Sequence, residues 1–314
     1  MPEERPIVVV GSINTDLVAT ADRLPAVGET VLGTGFQVHP GGKGANQAVA
    51  VARLGYPARM IGRLGNDNFG AQLRIHLETV GVDCSGIATC DGSSGVAVIL
   101  VSNRGENCIV VTPGANAKFT PHDVEASRSM IRQAGMVLAQ LEIPMDSVEC
   151  LTALCQREGI PLMLDPAPAQ ELPAEILRRL TWFTPNESEA AFYAGNAAVA
   201  ESAIPPDEIT RSLLKKGCRS VLLKLGQRGA YLATSEKPGQ LIPAFAVTAV
   251  DSTAAGDAFN GSFATGLMLG RSPLDSAIFA AAAAAISVTR SGAQPSMPSM
   301  SEVQGFLKSR SVQK

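Results

Sequence analysis

The sequence predicts an α/β protein with a central, mostly parallel sheet, helices on both of its faces and a small β flap. Three observations predict it. Ile7-Val8-Val9-Val10 is a continuous apolar run ended by Gly11, the pattern of a strand buried on both faces. From about residue 121 helical and strand-like runs alternate, as strands joined by crossover helices must. Residues 30–38 and 96–111 differ from that pattern: they are rich in Thr, Val, Ile and Phe and broken by Gly and Asn, as antiparallel strands of a separate flap would be.

In chain order, the strand at 7–10 leads into flap strands inserted within about 12–45 and 94–115. Ser102-Asn103-Arg104-Gly105-Glu106-Asn107 reads as a hairpin turn between two of them. Residues 47–54 read as a helix opened by a glycine-rich loop. Then helices at 124–134, 145–158, 174–179 and 207–216 alternate with strands at 136–141, 161–165, 182–184 and 220–224. Residues 230–233 and 245–250 read as further strands, and 258–269 as a small-residue helix. The alanine-rich run 277–288 is too short for the ~20 residues of a membrane span and reads as a packed helix. The pattern predicts one α/β domain over residues 1–314, with a frayed tail from about Ser309.

Composition narrows the function. With 46% hydrophobic and 18% charged residues, the 314-residue chain has the composition of a folded globular protein. A net charge of -3, with Lys and Arg scattered, offers no footprint for nucleic acid. Cys84, Cys90, Cys108, Cys150, Cys155 and Cys218 show neither CxxC nor zinc-type spacing, and are expected as reduced thiols in a cytoplasm. His39, His76 and His122 lack the spacing of a metal pair, which argues against a histidine metal site or a Ser-His-Asp triad.

In parallel α/β sheets the ligand sits at the carboxyl ends of the strands. Asn14, Asp16, Glu142, Asp165, Asn186, Lys224 and Asp251 all fall at such predicted ends. The segment Asp251-Ser252-Thr253-Ala254-Ala255-Gly256-Asp257 lies at the last of these, before a helix. Small side chains there would let an anion approach the free N–H groups of the helix start, where the helix dipole adds to the attraction. Asp257 would place a carboxylate beside that anion, which makes sense if it accepts a proton. An ordinary helix cap is the alternative, but Gly256 in the first turn costs about 1 kcal/mol relative to Ala without benefit to a cap.

Asn14 and Asp16 share a face if the chain is extended, and an amide beside a carboxylate suits a polyhydroxylated ligand; an Asx turn is the alternative. Gly41-Gly42-Lys43-Gly44-Ala45-Asn46 is not a Walker A loop, because Gly44 follows Lys43 where Ser or Thr is required. Its glycines still allow a ligand close to the backbone. Asn186 and Glu189, three apart, could hold hydrated magnesium or simply decorate a helix start. Leu225-Gly226-Gln227-Arg228-Gly229 reads as a tight hairpin that could lie against a nucleotide, with Lys224 near phosphate.

Taken in order, Gly11-Ser12-Ile13-Asn14-x-Asp16, Pro25-x-x-Gly28-Glu29-Thr30, Gly41 to Ala48, Thr184-Pro185-Asn186-Glu187, Asp251 to Gly261 and Val288 to Ser296 resemble the ribokinases, within the ribokinase-like carbohydrate kinase family. The match runs from about residue 7 to 307. The resemblance implies ATP-dependent phosphorylation of D-ribose at O5, with a kinase of another sugar or nucleoside, or a non-catalytic sugar binder, as alternatives. It implies that Asp257 is the base and that the N–H groups of Ala254, Ala255 and Gly256 form the anion hole. Asn14, Asp16, Gly42, Lys43, Gly44, Ala45, Asn46 and Glu142 would hold ribose. Asn186, Lys224, Leu225, Gly226, Gln227, Arg228, Gly229 and Gly256 would line the ATP site, with Glu189 assisting Mg2+ through water. Oxygens of Asp251, Thr253, Ser287, Arg290, Gly292 and Ser296 would cage K+, several through backbone carbonyls. The flap would cover ribose and pair two subunits into a homodimer. The chain departs from the family's usual residues at Lys224, often Thr, and Ala281, often His near the adenine.

Overall fold

The computed structural model describes residues 4–195 and 204–311. Strand β1 (Ile7–Val10) leads into β2 (Asn14–Ala21) and β3 (Gly33–Gly41). Helix α1 (Lys43–Arg53) precedes β4 (Ala58–Gly65), and α2 (Asn68–Thr79) precedes β5 (Val82–Cys90). Strands β6 (Gly95–Ser102) and β7 (Asn107–Thr112) form the hairpin expected across residues 102–107. Next come α3 (Pro121–Ala126), α4 (Arg128–Gln133), β8 (Met136–Ala139), α5 (Met145–Glu158), β9 (Leu162–Leu164), α6 (Ala174–Arg179) and β10 (Trp182–Phe183). Helices α7 (Glu187–Ala194) and α8 (Pro206–Lys215) lead to β11 (Ser220–Lys224), β12 (Ala230–Thr234) and β13 (Gln240–Ile242). The described chain closes with α9 (Ala255–Met268), α10 (Pro273–Ser287) and α11 (Met300–Ser311).

The large sheet has the order β13-β12-β11-β10-β9-β8-β1-β4-β5. It is parallel from β11 to β5, and β12 and β13 add antiparallel at one edge. The parallel strands therefore end on one side, and every loop that follows them opens there. Side-chain alternation feeds two cores. Ile7, Val9, Leu138, Met163, Trp182 and Leu222 pack under α1, α2, α9 and α10. Val8, Val10, Val137, Ala139, Leu164, Phe183 and Val221 pack under α3 to α8. Burial on both faces explains why β1, β8 and β9 read as unbroken apolar runs. The small sheet, ordered β3-β2-β6-β7, stands apart from the large one, with β2 parallel to β6 and the outer pairs antiparallel.

Four sequence expectations need correction. Residues 245–250 form no strand. Phe245 instead packs against Phe306 with ring centroids 5.3 Å apart, and Val250 N donates to Val288 O at 2.7 Å. Phe245 is covered by a helix rather than by a sheet, and Val250 is exposed. Helix α1 begins at Lys43, so four residues of the supposed glycine loop form its first turn. Helix α9 begins at Ala255, which puts Gly256 and Asp257 inside it. The tail does not fray at Ser309, because α11 continues to Ser311; residues 312–314 lie outside the described residues. No helix among the described residues is long and apolar enough to cross a membrane.

Candidate active site

Asp257 sits in the first turn of α9, 4% exposed. Ala254, the residue before that helix, has φ 57, the single left-handed non-glycine residue among those described. Strain of this kind persists only where the surroundings hold it, and it concentrates at functional sites. It turns the chain so that no side chain caps α9. The N–H of Ala255 donates to Ser252 O at 3.2 Å, while Ala254 and Gly256 offer N–H groups with no acceptor among the described residues. Of the three donors expected at this turn, two are therefore free. A Cβ built on Gly256 would lie 3.4 Å from Lys224 Nζ, so an ammonium faces the same helix start. Backbone donors, helix dipole and ammonium together define an anion site with a carboxylate at its edge.

The carboxylate is held rigidly. Asn46 Nδ2 donates to Asp257 Oδ2 at 3.0 Å, and Gln47 Nε2 donates to Oδ1 at 3.1 Å. Both donors lie near the start of α1, which the chain brings against α9. Burial pushes Asp257 up to about 6; the Lys43 charge opposes this and the Asp165 charge adds to it. A carboxylate raised this far can exchange a proton close to neutral pH. Lys43 faces Asp257, Asp165, Glu142 and Glu189, and their charges outweigh burial and raise its ammonium above the ordinary lysine range.

At the flap side, Asn14 and Asp16 do point the same way, because β2 is extended. Asn14 Oδ1 accepts from Asn116 Nδ2 at 2.7 Å, which leaves its own amide N–H2 for a ligand. Asp16 lies over Gly41, where a Cβ would come within 2.2 Å of its carboxylate. Burial, then the Glu142 and Asp257 charges, push Asp16 up to about 7. Gly42 has φ 88, and a Cβ there would meet Asn14 N at 2.7 Å, so the tight approach of α1 to β2 requires glycine twice over. Gly44 and Ala45 are packed on Ser12: Ala45 N donates to Ser12 O at 2.9 Å. Glu142 Oε2 accepts from Lys43 N at 3.1 Å and from the Ser12 hydroxyl, so one of its oxygens caps α1 and the other is left for a ligand.

Across the site, Asn186 caps α7 in a reciprocal box with Glu189. Asn186 Oδ1 accepts from Glu189 N at 2.8 Å, and Glu189 Oε2 accepts from Asn186 N at 2.8 Å. The cap reading of this pair therefore holds in the structure. Burial raises the Glu189 carboxyl despite the Lys224 charge. Lys224 ends β11 beside Asn186, and its Nζ donates to Asp165 Oδ1 at 2.8 Å. The turn Leu225 to Gly229 closes the β11–β12 hairpin, with Leu225 N donating to Gly229 O at 2.8 Å. Gly229 has φ 99 with a Cβ position 2.0 Å from Ile242 O. Gln227 sits at the tip of that turn, and Arg228 pairs with Glu187. Ala281 is buried in α10 within the core.

The loops after β13 and α10 are tied together. Asp251 Oδ1 accepts from Thr253 N and Oδ2 from Gly292 N, both at 2.8 Å. Burial opposes ionisation of Asp251, but these bonds outweigh it and hold the carboxyl below its ordinary range. The Ser287 and Ser296 hydroxyls donate to Ala284 O and Ala293 O, which leaves their oxygen lone pairs free. The Arg290 guanidinium turns away to Glu302, so only its backbone could join a site here.

Several site residues carried no motif. Gln47 also donates to Asp165 Oδ2 at 3.0 Å, which links Asp257, Asp165 and Lys224 in one network. Gln140 Nε2 steadies Gln47 Oε1 at 2.8 Å. Ser12 and Asn116 position α1 and β2, and Gln294 Nε2 donates to Asn46 Oδ1 at 3.1 Å. Asp165 stands at a predicted strand end, and Gln47 directly follows Asn46; those positions were the available signals.

A parallel α/β sheet, a helix start with free N–H groups beside a buried carboxylate, and polar side chains gathered beside a small second sheet are the parts of a small-molecule phosphotransferase. The chain belongs to the pfkB family of carbohydrate kinases, whose model matches residues 4–300. It is 40% identical over 304 residues to the ribokinase of Bacillus subtilis, covering 96% of this chain and 99% of that protein. With the Schizosaccharomyces pombe ribokinase the identity is 39% over 307 residues, covering 95% and 96%. Among solved structures, the Arabidopsis thaliana ribokinase complexed with ribose and ATP superposes with a TM-score of 0.89 at 34% identity, covering 98% of this chain and 99% of that one. The Thermotoga maritima ribokinase gives 0.88 at 38% identity, covering 96% and 99%.

Proposed function

We propose that this protein transfers the γ-phosphoryl group of ATP to O5 of D-ribose, giving D-ribose 5-phosphate and ADP. The observation that carries the proposal is Asp257: a buried carboxylate, pinned by two amides, at the edge of an anion site made by the start of α9. In the reaction the O5 proton passes to Asp257, the O5–phosphorus bond forms and the bond from phosphorus to the β,γ-bridging oxygen breaks. The free N–H groups of Ala254 and Gly256, with Lys224, stabilise the charge on the transferring group, and Ala255 joins by releasing Ser252. Asn14, Asp16, Gly42, Lys43, Gly44, Ala45, Asn46 and Glu142 surround the sugar. Asn186, Lys224, Leu225 to Gly229 and Gly256 line the nucleotide. The ribokinases that this chain resembles over almost its whole length support the substrate assignment.

Among the described residues no three His, Cys, Asp or Glu side chains cluster as a metal cage. Asn186 and Glu189, at the start of α7, are the residues that would reach the hydration shell of magnesium brought by ATP, and the ion would neutralise phosphate charge there. Asp251, Thr253, Ser287, Arg290, Gly292 and Ser296 would hold potassium through side-chain and backbone carbonyl oxygens, the ligand type that ion takes. The whole chain works as one α/β domain, with the small sheet as a lid over ribose. Exposed apolar residues on that sheet support pairing of two lids in a homodimer, and six free cysteines support a cytoplasmic setting.

A panel of D-ribose, 2-deoxyribose and a nucleoside, assayed for ADP release with ATP, magnesium and potassium, tests the substrate. Asp16 favours vicinal hydroxyls, so kcat/KM for ribose should exceed that for deoxyribose by roughly tenfold or more. Equal values would move the assignment to another sugar or nucleoside, and ribose binding without ADP release would make the protein a binder.

A further inference from the structure

We propose that His76 is a positioning residue for phosphoryl transfer, acting on Asp257 through the buried amides of Gln294 and Asn46. The inference rests on the kinase reading above. His76 lies half-buried near the end of α2, an element that none of the sequence motifs touches. Its Nε2 is 2.8 Å from Gln294 Oε1. Gln294 Nε2 donates to Asn46 Oδ1 at 3.1 Å, and Asn46 Nδ2 donates to Asp257 Oδ2 at 3.0 Å. Gln294 and Asn46 are 3% and 6% exposed, so water does not readily replace a lost partner.

The direction of each bond follows from the base outward. An ionised carboxylate only accepts, so Asn46 must turn its N–H2 to Asp257. Its oxygen then needs a donor, which only the N–H2 of Gln294 supplies. That leaves Gln294 Oε1 as an acceptor, and His76 must carry its proton on Nε2. An amide has no orientation of its own; its partners set it. With His76 donating, Gln294 and Asn46 are locked in the one arrangement that presents an N–H to the base. Without that donor, Gln294 can rotate and set oxygen against oxygen at Asn46. In a buried site such an unmet contact is destabilising, because water cannot replace the lost partner. The chain of aligned donors is also stronger than its separate bonds.

Two substitutions separate this role from simple packing. His76→Phe keeps the ring volume and removes the donor; His76→Gln keeps a donor and removes the ring. The expected result is a fall in kcat of roughly 5- to 100-fold in the Phe variant, with KM for ATP within about twofold. The Gln variant should recover most of the loss. His76→Phe combined with Gln294→Leu should be no slower than Gln294→Leu alone, since both cut one chain. If the Phe variant fails to fold, His76→Leu provides the same comparison, with thermal unfolding as the control. Wild-type turnover in the Phe variant, or an equal loss in the Phe and Gln variants, overturns the role of His76 while leaving the kinase reading intact. Absence of ribose-dependent ADP release from the wild-type protein overturns both.

Discussion

Asp16 and Asp257 are two carboxylates in one pocket, and burial pushes both toward neutrality, to about 7 and about 6. Both have to be ionised for the proposed reaction. Asp257 must take a proton, and Asp16 must accept from ribose hydroxyls. Raised values mean that protons stay bound until the pH climbs through them, so kcat/KM for ribose should fall as pH drops from about 7.5 through 6. The limb should steepen toward two protons, with apparent values that belong to the pair. Asp16→Asn should raise KM for ribose and leave a shallower, single-proton limb nearer 6. A pH–rate profile of both proteins checks this, and an unchanged limb in the variant contradicts the role of Asp16. At this scale the grouping of candidate residues is legible in the sequence: Asn14, Asp16 and Glu142 are expected at strand ends and Asn46 and Asp257 at helix starts, and the fold brings these elements to one side of the large sheet. What the residue types conceal is partnership. Glu142 spends an oxygen on capping α1, and Asn46 is committed to the base.

Helices α1 and α9 decide whether Gln47 and Asn46 reach the base, and a glycine sets their separation. A Cβ on Gly261 would lie 2.6 Å from Ala50 Cβ and 2.9 Å from Gln47 O. Gly261→Ala should therefore push the helices apart, cost about 1–3 kcal/mol of stability and lower kcat at least severalfold. Thermal unfolding and ADP release measure the two effects; a stable variant with normal turnover would show that the close approach is not required. Strands and helices from α5 to β11 are legible because unbroken apolar runs alternate with amphipathic ones. Residues 245–250 mislead because Phe245 meets Phe306 and its neighbours in α11 while Val250 stays exposed, and a sequence pattern does not say whether an apolar residue is covered by a sheet, by a helix or not at all. The glycine-rich segment misleads in the other direction. Gly42 alone needs a left-handed backbone, while Gly44 is glycine to let α1 pack on Ser12, so a helix begins where glycines suggest a loop.

For the whole molecule, the small sheet leaves Phe36, Val38, Val98, Ile109, Val110 and Val111 exposed. By the strand register, Phe36, Val38, Val98 and Val110 share one face of the sheet, while Ile109 and Val111 lie on the face that carries Asp16; the proposed lid pairing uses the first face, where exposed apolar side chains adjoin. On the proposed pairing the wild-type protein should sediment as a dimer, and Val110→Glu or Val98→Asp should shift it toward monomer; a wild-type monomer at micromolar concentration would contradict the lid pairing. The parallel order and the side on which ligands gather are legible, because polar residues follow apolar runs at each strand end. The pairings that complete the site are not. Gln47 meets Asp165 across 118 positions and His76 meets Gln294 across 218, and no local pattern encodes such meetings. The central claim is that Asp257 takes the proton from ribose O5, and the most direct test is ribose-dependent ADP release by the wild-type protein and by Asp257→Asn, with ribose binding measured in both. The expected result is turnover in the wild type, a loss of roughly 10²–10⁴-fold in the variant and ribose binding retained. Near-normal turnover in Asp257→Asn would contradict it.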